Sequence, residues 1–239
     1  MQCLIIAAGR GSRLAHRFPC KPLIPVAGTA LLERVMGTAA AAGIRDFVVV
    51  SGHGAGQVGD FAGAVAARKG LSARVVFNPD WERENGFSVL AAREAVRGEF
   101  VLLMADHLFD GRILEALLAA PLRPCQAMLA VDRRISGHPF ADLDDVTRVN
   151  ARAGGILDIG KRIPVYNAFD TGIFRCTPGL FAGLEESVRR GDFSLSGGMR
   201  VLAETGNALA LDSGDRFWID VDDERALKLA EGLFAAGGA

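Results

Sequence analysis

The sequence predicts an α/β protein in which a mostly parallel, mixed central sheet lies between two layers of helices. Three observations carry this prediction. Short apolar runs alternate with helical stretches through the first hundred residues, and such alternation builds a parallel sheet with helices on both faces. The first run, residues 2–7, leads directly into a glycine-rich turn. Half of the 239 residues are apolar, which suffices for one large core.

The first hundred residues hold the clearest alternation. Four short runs are rich in Val, Ile, Leu and Phe, and they are predicted as strands at 2–7, 47–51, 74–77 and 100–104. The stretches between them are predicted as helices at 31–42, 55–67 and 87–96. Ligands of such sheets bind beyond the carboxyl ends of the strands. We therefore expect the turn after residue 7 and the segment after Met104 to lie at the same edge.

The pattern changes after residue 125. Short strands alternate with turn signals, and they are predicted at 128–131, 146–151, 156–159 and 171–174. This segment has little core of its own, so it predicts a small β-rich insertion and not an independent domain. The expected order ends with helices and strands at 178–190, 195–204, 208–211 and 217–221, and with a terminal helix from Asp223. The whole chain, 1–239, is predicted as a single domain.

The first strand ends in Ala7-Ala8-Gly9-Arg10-Gly11-Ser12-Arg13-Leu14. A glycine-rich turn after a strand leaves backbone N–H groups free for an anionic phosphate. Leu14 stands where a dinucleotide-binding fingerprint requires its third glycine, and the sequence has no Walker A run. Lys21-Pro22-Leu23 begins eight residues after Arg13. The segment therefore predicts a phosphate-binding loop of another kind, with two cations beside it.

Two aspartates at the ends of apolar strands are predicted to bind Mg²⁺. Asp106 follows the run 100–104, and Asp220 lies in Trp218-Ile219-Asp220-Val221-Asp222. Carboxylates are among the oxygen ligands that Mg²⁺ takes together with substrate phosphates. The alternative for an aspartate before a helix is an N-cap, which fits Asp222 or Asp223 better than Asp220. His107 is expected to be structural or to support the ligands, because Mg²⁺ prefers oxygen.

The loop and the later segments resemble a known superfamily. The pattern A-A-G-x-G-x-R-L followed by K-P-L resembles the signature of the sugar nucleotidyltransferases. Further segments are similar to the cytidylyltransferase branch, and above all to CTP:inositol-1-phosphate cytidylyltransferases, over residues 4 to about 230. These segments are Glu84-Asn85-Gly86-Phe87-Ser88, Met104-Ala105-Asp106-His107, Gly160-Lys161, Asp170-Thr171-Gly172 and Trp218-Ile219-Asp220-Val221.

The resemblance implies a Rossmann-like, GT-A-like α/β/α fold, with a nucleotide-binding half at about 1–110 and an acceptor-binding half at about 111–239. It implies Mg²⁺-dependent transfer from CTP to a phosphorylated alcohol, above all inositol 1-phosphate. The implied catalytic residues are Arg13, Lys21 and Asp106, and the implied metal ligands are Asp106 and Asp220. The implied nucleotide contacts are Ala7, Ala8, Gly9, Gly11, Ser12, Arg13, Asn85, Gly86, Ser88 and Asp106. The implied acceptor contacts are Lys21, Lys161, Asp170, Thr171 and Gly172, with the β-rich insertion lying over the acceptor.

Other substrates stay open at this point. A sugar 1-phosphate, 2-aminoethylphosphonate or phosphocholine would use the same fold. An amine-bearing acceptor favours an aromatic or anionic cage, whereas Tyr166 is the single tyrosine and Lys161 stands near it. A molybdopterin nucleotidyltransferase shares the first motif but not the later ones. A non-catalytic nucleotide-binding subunit is disfavoured by the presence of Lys21 and both aspartates.

The composition limits which classes of binding partner and which cellular compartment we expect for the protein. A net charge of −1 argues against a nucleic-acid surface. The four cysteines have no C-x-x-C spacing, which is typical of reduced cytoplasmic thiols. No stretch reaches the roughly 18 apolar residues of a membrane helix. Some relatives in the resembled family carry a fused membrane transferase domain, so here we expect a cytoplasmic enzyme whose product passes to a separate transferase. A homodimer is left open.

Overall fold

The computed structural model describes residues 1–139, 142–143 and 145–235. Its strands are β1 (Gln2–Ala7), β2 (Pro25–Val26), β3 (Thr29–Ala30), β4 (Asp46–Ser51), β5 (Ser72–Phe77), β6 (Phe100–Met104), β7 (His107–Phe109), β8 (Ala127–Asp132), β9 (Arg148–Arg152), β10 (Gly155–Gly160), β11 (Ala168–Cys176), β12 (Ala208–Asp212) and β13 (Trp218–Asp220). Its α-helices are α1 (Leu31–Ala41), α2 (Ala55–Lys69), α3 (Asn85–Ala91), α4 (Gly111–Ala119), α5 (Gly179–Arg189), α6 (Leu195–Glu204) and α7 (Glu224–Ala235). A 3₁₀ helix covers Lys21–Leu23.

Among the described residues, nine strands form the main sheet in the order β5-β4-β1-β6-β11-β8-β12-β10-β9. The strands β5, β4, β1 and β6 pair in parallel. The strands β11 and β10 pair antiparallel with their neighbours and run against the other seven. The mostly parallel, mixed sheet predicted from the sequence is therefore confirmed.

Helices cover both faces of this sheet because its strands alternate their side chains between two cores. In β1, Cys3 and Ile5 belong to one buried cluster, which contains residues of α1, α2, α4 and α7. Leu4 faces the other cluster, which contains residues of α3, α5 and α6. The side chains of Leu4 and Ile5 are both fully buried. These two cores confirm the three-layer α/β/α arrangement.

The predicted β-rich insertion is present, and it continues the main sheet. The strands β9 and β10 form an antiparallel hairpin, and β10 joins β12 through Gly155 and Leu209. The pairing returns to β11 where Ala168 lies opposite Val149. One face of the hairpin is apolar, with Val149 and Ile156 buried in the second core. Such a hairpin is stabilised by joining a larger sheet, which is why it extends the sheet's edge.

Two helices differ from the sequence-based prediction. The helix α4 was not predicted, although Asp110 accepts a hydrogen bond from Arg112 N at 2.9 Å as its N-cap and Ile113 and Leu117 are buried at helical spacing. The helix α3 begins at Asn85 and ends at Ala91, before the predicted end at residue 96. The backbone N–H of Arg97 donates to Gln2 Oε1 at 2.7 Å, which ties the chain after α3 to β1. That part of the chain forms turns and not the predicted end of the helix.

The sheet topology brings distant segments to one edge. Ile6, one residue before the end of β1, lies opposite Met104 at the end of β6. The short strand β13 pairs antiparallel with β7, which places Asp220 opposite His107. The N–H of Val221 donates to the carbonyl of Asp106 at 3.0 Å. Within the described ranges, no helix has both the length and the apolarity needed to cross a membrane.

Candidate active site

The glycine-rich loop after β1 makes room for a buried lysine. Gly11 has a φ of +64°, and a Cβ atom there would lie 2.6 Å from the Cβ of Lys21. Glycine is required at this position, because it adopts positive φ without strain and has no side chain to meet the lysine stem. The stem of Lys21 is therefore packed under the loop, with only 6% of the residue exposed.

The ammonium group of Lys21 lies among three carboxylates. Its Nζ atom is 2.5 Å from Asp106 Oδ2, donates a hydrogen bond to Asp222 Oδ1 and is 3.8 Å from Asp220 Oδ1. Burial alone lowers the pKa of Lys21, but these carboxylates outweigh it and raise the pKa above its usual value. Lys21 is therefore a fixed positive charge at the carboxyl edge of the sheet.

Asp106, His107 and Asp220 form a compact titratable cluster, with one ligand atom of each within 4.8 Å of the others. His107 Nδ1 lies 2.9 Å from Asp106 Oδ1. Burial lowers the pKa of His107, but Asp220 and Asp106 raise it to about 9. Burial raises the pKa of Asp106, yet Lys21 and His107 hold it well below its usual range. Burial, reinforced by the charge of Asp106, raises the pKa of Asp220 to about 7.

This cluster fits a hard divalent cation. Asp220 Oδ1 is buried and has no hydrogen-bond partner among the described residues. A buried carboxylate oxygen without a partner is costly, and a metal ion would satisfy it. Together, Asp106 and Asp220 supply two carboxylates, the ligand type that Mg²⁺ takes beside substrate phosphates. The two aspartates that the sequence predicted as metal ligands thus lie next to each other.

Arg13 and Lys161, predicted to contact phosphates, are joined by a carboxylate that the sequence analysis missed. Asp145 accepts from Arg13 Nη2 and from Lys161 Nζ, each at 2.5 Å. Hydrogen bonds from Lys161 and Arg13 keep the pKa of Asp145 below its usual value. Arg13 and Lys161 are about half exposed, so solvent can reach both cations.

Asp222 is a second functional candidate that the sequence analysis missed. Its carboxylate binds Lys21 and also lies 3.3 Å from Arg13 Nη1. The N-cap of α7 is instead supplied by Asp223, whose Oδ1 accepts from Ala226 N at 2.7 Å. The sequence contains one indication that Asp222 lies near the site. Asp220 and Asp222 stand two residues apart, so their side chains share a side of an extended chain.

Two adjoining cavities, of about 360 and 340 Å³, share lining residues along the sheet edge. Gly9, Arg13, Asp106, Lys161 and Asp222 line both of them. Of the predicted nucleotide residues, Ala7, Gly11 and Ser12 line the first cavity, and Asn85 and Ser88 line the second. Of the predicted acceptor residues, Lys21 lines the first cavity, and Asp170 and Gly172 line the second.

Gly86 lies outside the lining of both cavities, and its expected contact with the base stays a prediction. Its N–H donates to the carbonyl of Phe193 at 3.1 Å, and a Cβ on Gly86 would lie 2.4 Å from that oxygen. Glycine is required here for the approach of α3 to the start of α6, and its amide is already bonded within the protein. Asn85 has a similar structural bond, since its Oδ1 accepts from Leu195 N at 2.8 Å. Ser88 Oγ accepts from Asn78 Nδ2 at 3.0 Å.

Asp170 and Thr171 are adjacent residues of β11, so their side chains lie on opposite faces of the sheet. Thr171 is fully buried, its hydroxyl donates to Ala130 O at 2.8 Å and its side chain lies outside the lining of both cavities, so its expected contact with the acceptor stays a prediction. Ala8 is likewise buried and outside their lining.

Gly172 has a φ of +75°, and a Cβ there would lie 2.4 Å from His107 Cδ2. Burial raises the pKa of Asp170, which accepts from Gly172 N at 2.7 Å, to about 6.

A glycine-rich loop, a buried lysine and paired aspartates lie together at the edge of the sheet, which is the arrangement that the sequence analysis expected of a nucleotidyltransferase domain. The chain belongs to the family of MobA-like NTP transferase domains, whose model matches residues 3–152. The match covers the loop after β1 and Asp106, while Asp220 lies beyond it.

Individual relatives match almost the whole chain. The bifunctional IPC transferase and DIPP synthase of Rubrobacter xylanophilus is 37% identical over 98% of this chain and 52% of its own length. The CMP-5′-(3-aminopropyl)phosphonate synthase of Streptomyces rubellomurinus is 32% identical over 98% of this chain and 39% of its own length. The solved inositol-1-phosphate CTP transferase from T. maritima is 27% identical, with a TM-score of 0.85 over 96% of this chain and 93% of its own. The chain thus spans about half or less of these two curated relatives.

Proposed function

We propose that the protein is a Mg²⁺-dependent cytidylyltransferase that joins CTP to inositol 1-phosphate and releases pyrophosphate. The observation that carries the proposal is the convergence of the loop after β1, Lys21 and the Asp106–Asp220 pair where the two adjoining cavities meet: Lys21 lines the first cavity, Asp220 lines the second, and Asp106 lines both. The choice of substrates is supported by the likeness to the inositol-1-phosphate CTP transferase of T. maritima, which extends over both halves of the chain.

The proposed reaction needs no strong base. A phosphate oxygen of the acceptor attacks the α-phosphorus of CTP, and the bond from that phosphorus to the bridging oxygen of the β-phosphate breaks. The electron pair leaves with pyrophosphate, and the product is CDP-inositol. A phosphate monoester has a second pKa near 6, so the attacking group is already largely dianionic at neutral pH. The barrier is therefore the approach of two anions, which positioning and charge neutralisation lower.

The described residues supply those two effects. Arg13 and Lys161 are exposed to the cavities and can exchange Asp145 for phosphate oxygens. Lys21 has a stem fixed under Gly11, so its ammonium stays at the junction of the two substrates. Asp106 and Asp220 would hold Mg²⁺, with Asp222 beside them, and the bound ion would neutralise phosphate charge. Loss of one such group typically lowers turnover by about 10²-fold or more.

The nucleotide is assigned to both cavities, with its phosphates in the first and its base in the second, and the acceptor is assigned to the second cavity. Backbone groups of Ala7, Gly9, Gly11 and Ser12 would face the phosphates, and Asn85 and Ser88 would face the base in the second cavity. Asp170 would accept hydrogen bonds from inositol hydroxyls, because a carboxyl with a pKa of about 6 is mostly ionised at pH 7.

A second candidate keeps CTP and changes the acceptor to an aminoalkyl phosphonate. The observation that favours it is the 32% identity to the phosphonate synthase of Streptomyces rubellomurinus over 98% of this chain. The carboxylates of Asp170 and Asp223 in the second cavity would then face an ammonium group. Both candidates require cytidylyl transfer, so the acceptor alone distinguishes them.

A screen of pyrophosphate release tests these proposals. Four nucleoside triphosphates are combined with phosphorylated polyols, hexose 1-phosphates, phosphocholine and aminoalkyl phosphonates, with Mg²⁺ or with EDTA. We expect the highest rate with CTP and inositol 1-phosphate, and none in EDTA. A preference for an aminoalkyl phosphonate selects the second candidate. A preference for UTP or dTTP with a hexose phosphate contradicts the cytidylyl assignment, and CTP binding without any release supports a regulatory subunit.

The remaining expectations stay predictions. They are a cytoplasmic location, a homodimer, a separate transferase that takes the product, and one domain over 1–239 with a nucleotide half and an acceptor half. Residues 140–141, 144 and 236–239 of that domain lie outside the described part of the chain.

A further inference from the structure

A buried ionic cluster lies beside the strand that carries Asp220. Asp132, the last residue of β8, is completely buried. Its Oδ2 accepts from Trp218 Nε1 at 2.7 Å and lies 2.9 Å from His138 Nε2. Its Oδ1 accepts from the backbone N of Arg134 at 2.8 Å and from Arg134 Nε at 3.0 Å. Although burial raises the pKa of Asp132, bonds from His138 and Arg134 hold it well below its usual range.

Arg134 extends this cluster to the backbone that leads into β13. Its Nη1 donates to the carbonyl of Asp215 at 3.2 Å, and its Nη2 donates to the carbonyl of Arg216 at 2.9 Å. The indole of Trp218 is bound to Asp132, so residues 215, 216 and 218 are all hydrogen-bonded to side chains at or just after the end of β8. We call Asp132, Arg134 and Trp218 the β13 clamp.

The strand β13 depends on such an anchor more than the strands of the main sheet do. It is three residues long and pairs with β7 in a separate two-stranded sheet. Two-stranded pairs are marginally stable by themselves. Trp218 and Asp220 alternate with Ile219, so their side chains share a side of the strand and both line the second cavity. A shift of Trp218 would therefore move the Asp220 carboxylate relative to Asp106.

Stability alone does not account for a charged cluster at this place. The attraction within a buried ion pair is offset by the loss of hydration of its two charges. Well-packed apolar residues of similar size are therefore often at least as stabilising. A guanidinium with fixed donor directions does, however, impose one geometry on the carbonyls and the carboxylate that it binds. The β13 clamp has this geometry, and its member Trp218 lies two residues before Asp220, a predicted metal ligand.

We infer that Asp132 and Arg134 are positioning residues for nucleotidyl transfer: through Trp218 and the backbone of residues 215–216 they fix Asp220 relative to Asp106, and so set the affinity for the divalent ion. The inference rests on the proposed function for the role of that ion. Neither residue touches the cavities, since Asp132 and Arg134 are absent from their linings.

Two conservative variants and a matched control test the inference. Arg134→Lys keeps the charge but loses the forked donors, and Trp218→Phe removes the indole N–H while keeping an aromatic ring. The control is Arg175→Lys. Arg175 likewise donates to carbonyls, those of Leu117, Leu118 and Ala120, and pairs with Glu99. It lies at the opposite end of the sheet, because it pairs in register with Val101 near the start of β6.

The decisive readout is binding of Mn²⁺ alone, followed by electron paramagnetic resonance, with melting temperatures recorded for every variant. Loss of a group that orients metal ligands typically weakens metal binding by about 10- to 100-fold, so we expect at least tenfold in Arg134→Lys and Trp218→Phe and no change in Arg175→Lys. Wild-type affinity in both clamp variants would overturn the inference. An equal loss in the control, or no Mn²⁺ binding by the wild-type protein, would do the same.

This test is independent of the substrate assignment. If the wild-type protein releases no pyrophosphate from any triphosphate, the proposed function fails, whereas the Mn²⁺ affinities still decide the role of the clamp. If pyrophosphate is released, the clamp variants should also need at least about tenfold more Mg²⁺ for half-maximal rate. An unchanged Mg²⁺ requirement with a lower rate would mean a structural role only and would contradict the inference.

Discussion

The ammonium group of Lys21 lies 2.5 Å from the Oδ2 atom of Asp106, so a predicted phosphate-binding cation and a predicted metal ligand are bound to each other. Removing Lys21 would leave three buried or half-buried carboxylates facing one another. For Lys21→Met we expect the free energy of unfolding in EDTA to fall by about 3 kcal/mol, because breaking a buried ion pair leaves uncompensated charge. Mg²⁺ should restore part of this loss, since it binds the folded state.

Turnover of Lys21→Met should fall by about 10²-fold or more. Lys69→Met is the control, because Lys69 pairs with Glu33 at 3.5 Å on the protein surface and away from the cavities. The measurements are urea unfolding with and without Mg²⁺ and the rate of pyrophosphate release. Near-normal turnover would remove the catalytic role assigned to Lys21.

Asp220 and Asp222 are expected to differ in function. Asp220 has a buried oxygen without a hydrogen bond in the described structure, whereas Asp222 is engaged by Lys21 and Arg13. We therefore expect Asp220→Asn to raise the Mg²⁺ concentration for half-maximal rate by about tenfold or more, and Asp222→Asn to change it less. The reverse order would assign the ion to Asp106 and Asp222 instead.

Gly172 is predicted to be required for the position of His107. Gly172→Ala places a Cβ atom 2.4 Å from His107 Cδ2 at a φ of +75°. Gly154→Ala is a matched control, because Gly154 has a φ of +80° and nothing within 4 Å of its built Cβ. Both variants should lose about 1 kcal/mol of stability from the strained φ. Only Gly172→Ala should lose more than that and also lose turnover, and equal effects in circular dichroism melts and rate assays would exclude the contact.

Asp145 is expected to compete with substrate phosphates. Its carboxylate joins Arg13 and Lys161, two cations that the nucleotide or acceptor would use. Exposed ion pairs are worth about 0–1 kcal/mol, so Asp145→Asn should lower the KM for CTP by about two- to fivefold without lowering kcat. Asp212→Asn is the control, since Asp212 pairs with Arg133 on the surface. A raised KM would show that Asp145 assists binding.

Asp170 gives the protein a pH dependence of stability. Burial raises its folded-state pKa from 3.8 to about 6, so the folded protein holds the proton more tightly than the unfolded chain. The free energy of unfolding should therefore decrease on this account as the pH rises from about 4 to about 6. Asp170→Asn lacks this term, and it should gain stability relative to the wild-type protein between pH 4.5 and 7.5 in urea titrations. A constant difference would contradict the raised pKa.

Local patterns sufficed for the strands and the loop. The runs 2–7 and 100–104 coincide with β1 and β6, because buried parallel strands are nearly continuous apolar segments. The rule that ligands bind at the carboxyl edge was enough to bring the loop after β1 near Asp106. Both predictions depend on residues that are close in sequence or on a general property of parallel sheets.

Contacts between distant residues could not be predicted in this way. Arg13 meets Asp145 and Asp222 across 132 and 209 positions, and no spacing in the sequence marks such pairs. Gly86 was assigned to the base because its motif is shared with relatives, whereas its close neighbour is the carbonyl of Phe193. The β9–β10 hairpin has clear strand patterns, but which strand it pairs with is decided by tertiary packing.

The position of β13 in the chain has a consequence for synthesis. The main sheet is complete at Asp212, the end of β12, whereas the carboxylates of Asp220 and Asp222 follow it. A ribosome that has released residues 1–212 has released every strand of the main sheet and the loop after β1, but neither of these carboxylates. A nascent chain can therefore form its main sheet before the residues after Asp212 bring these two carboxylates to the loop after β1.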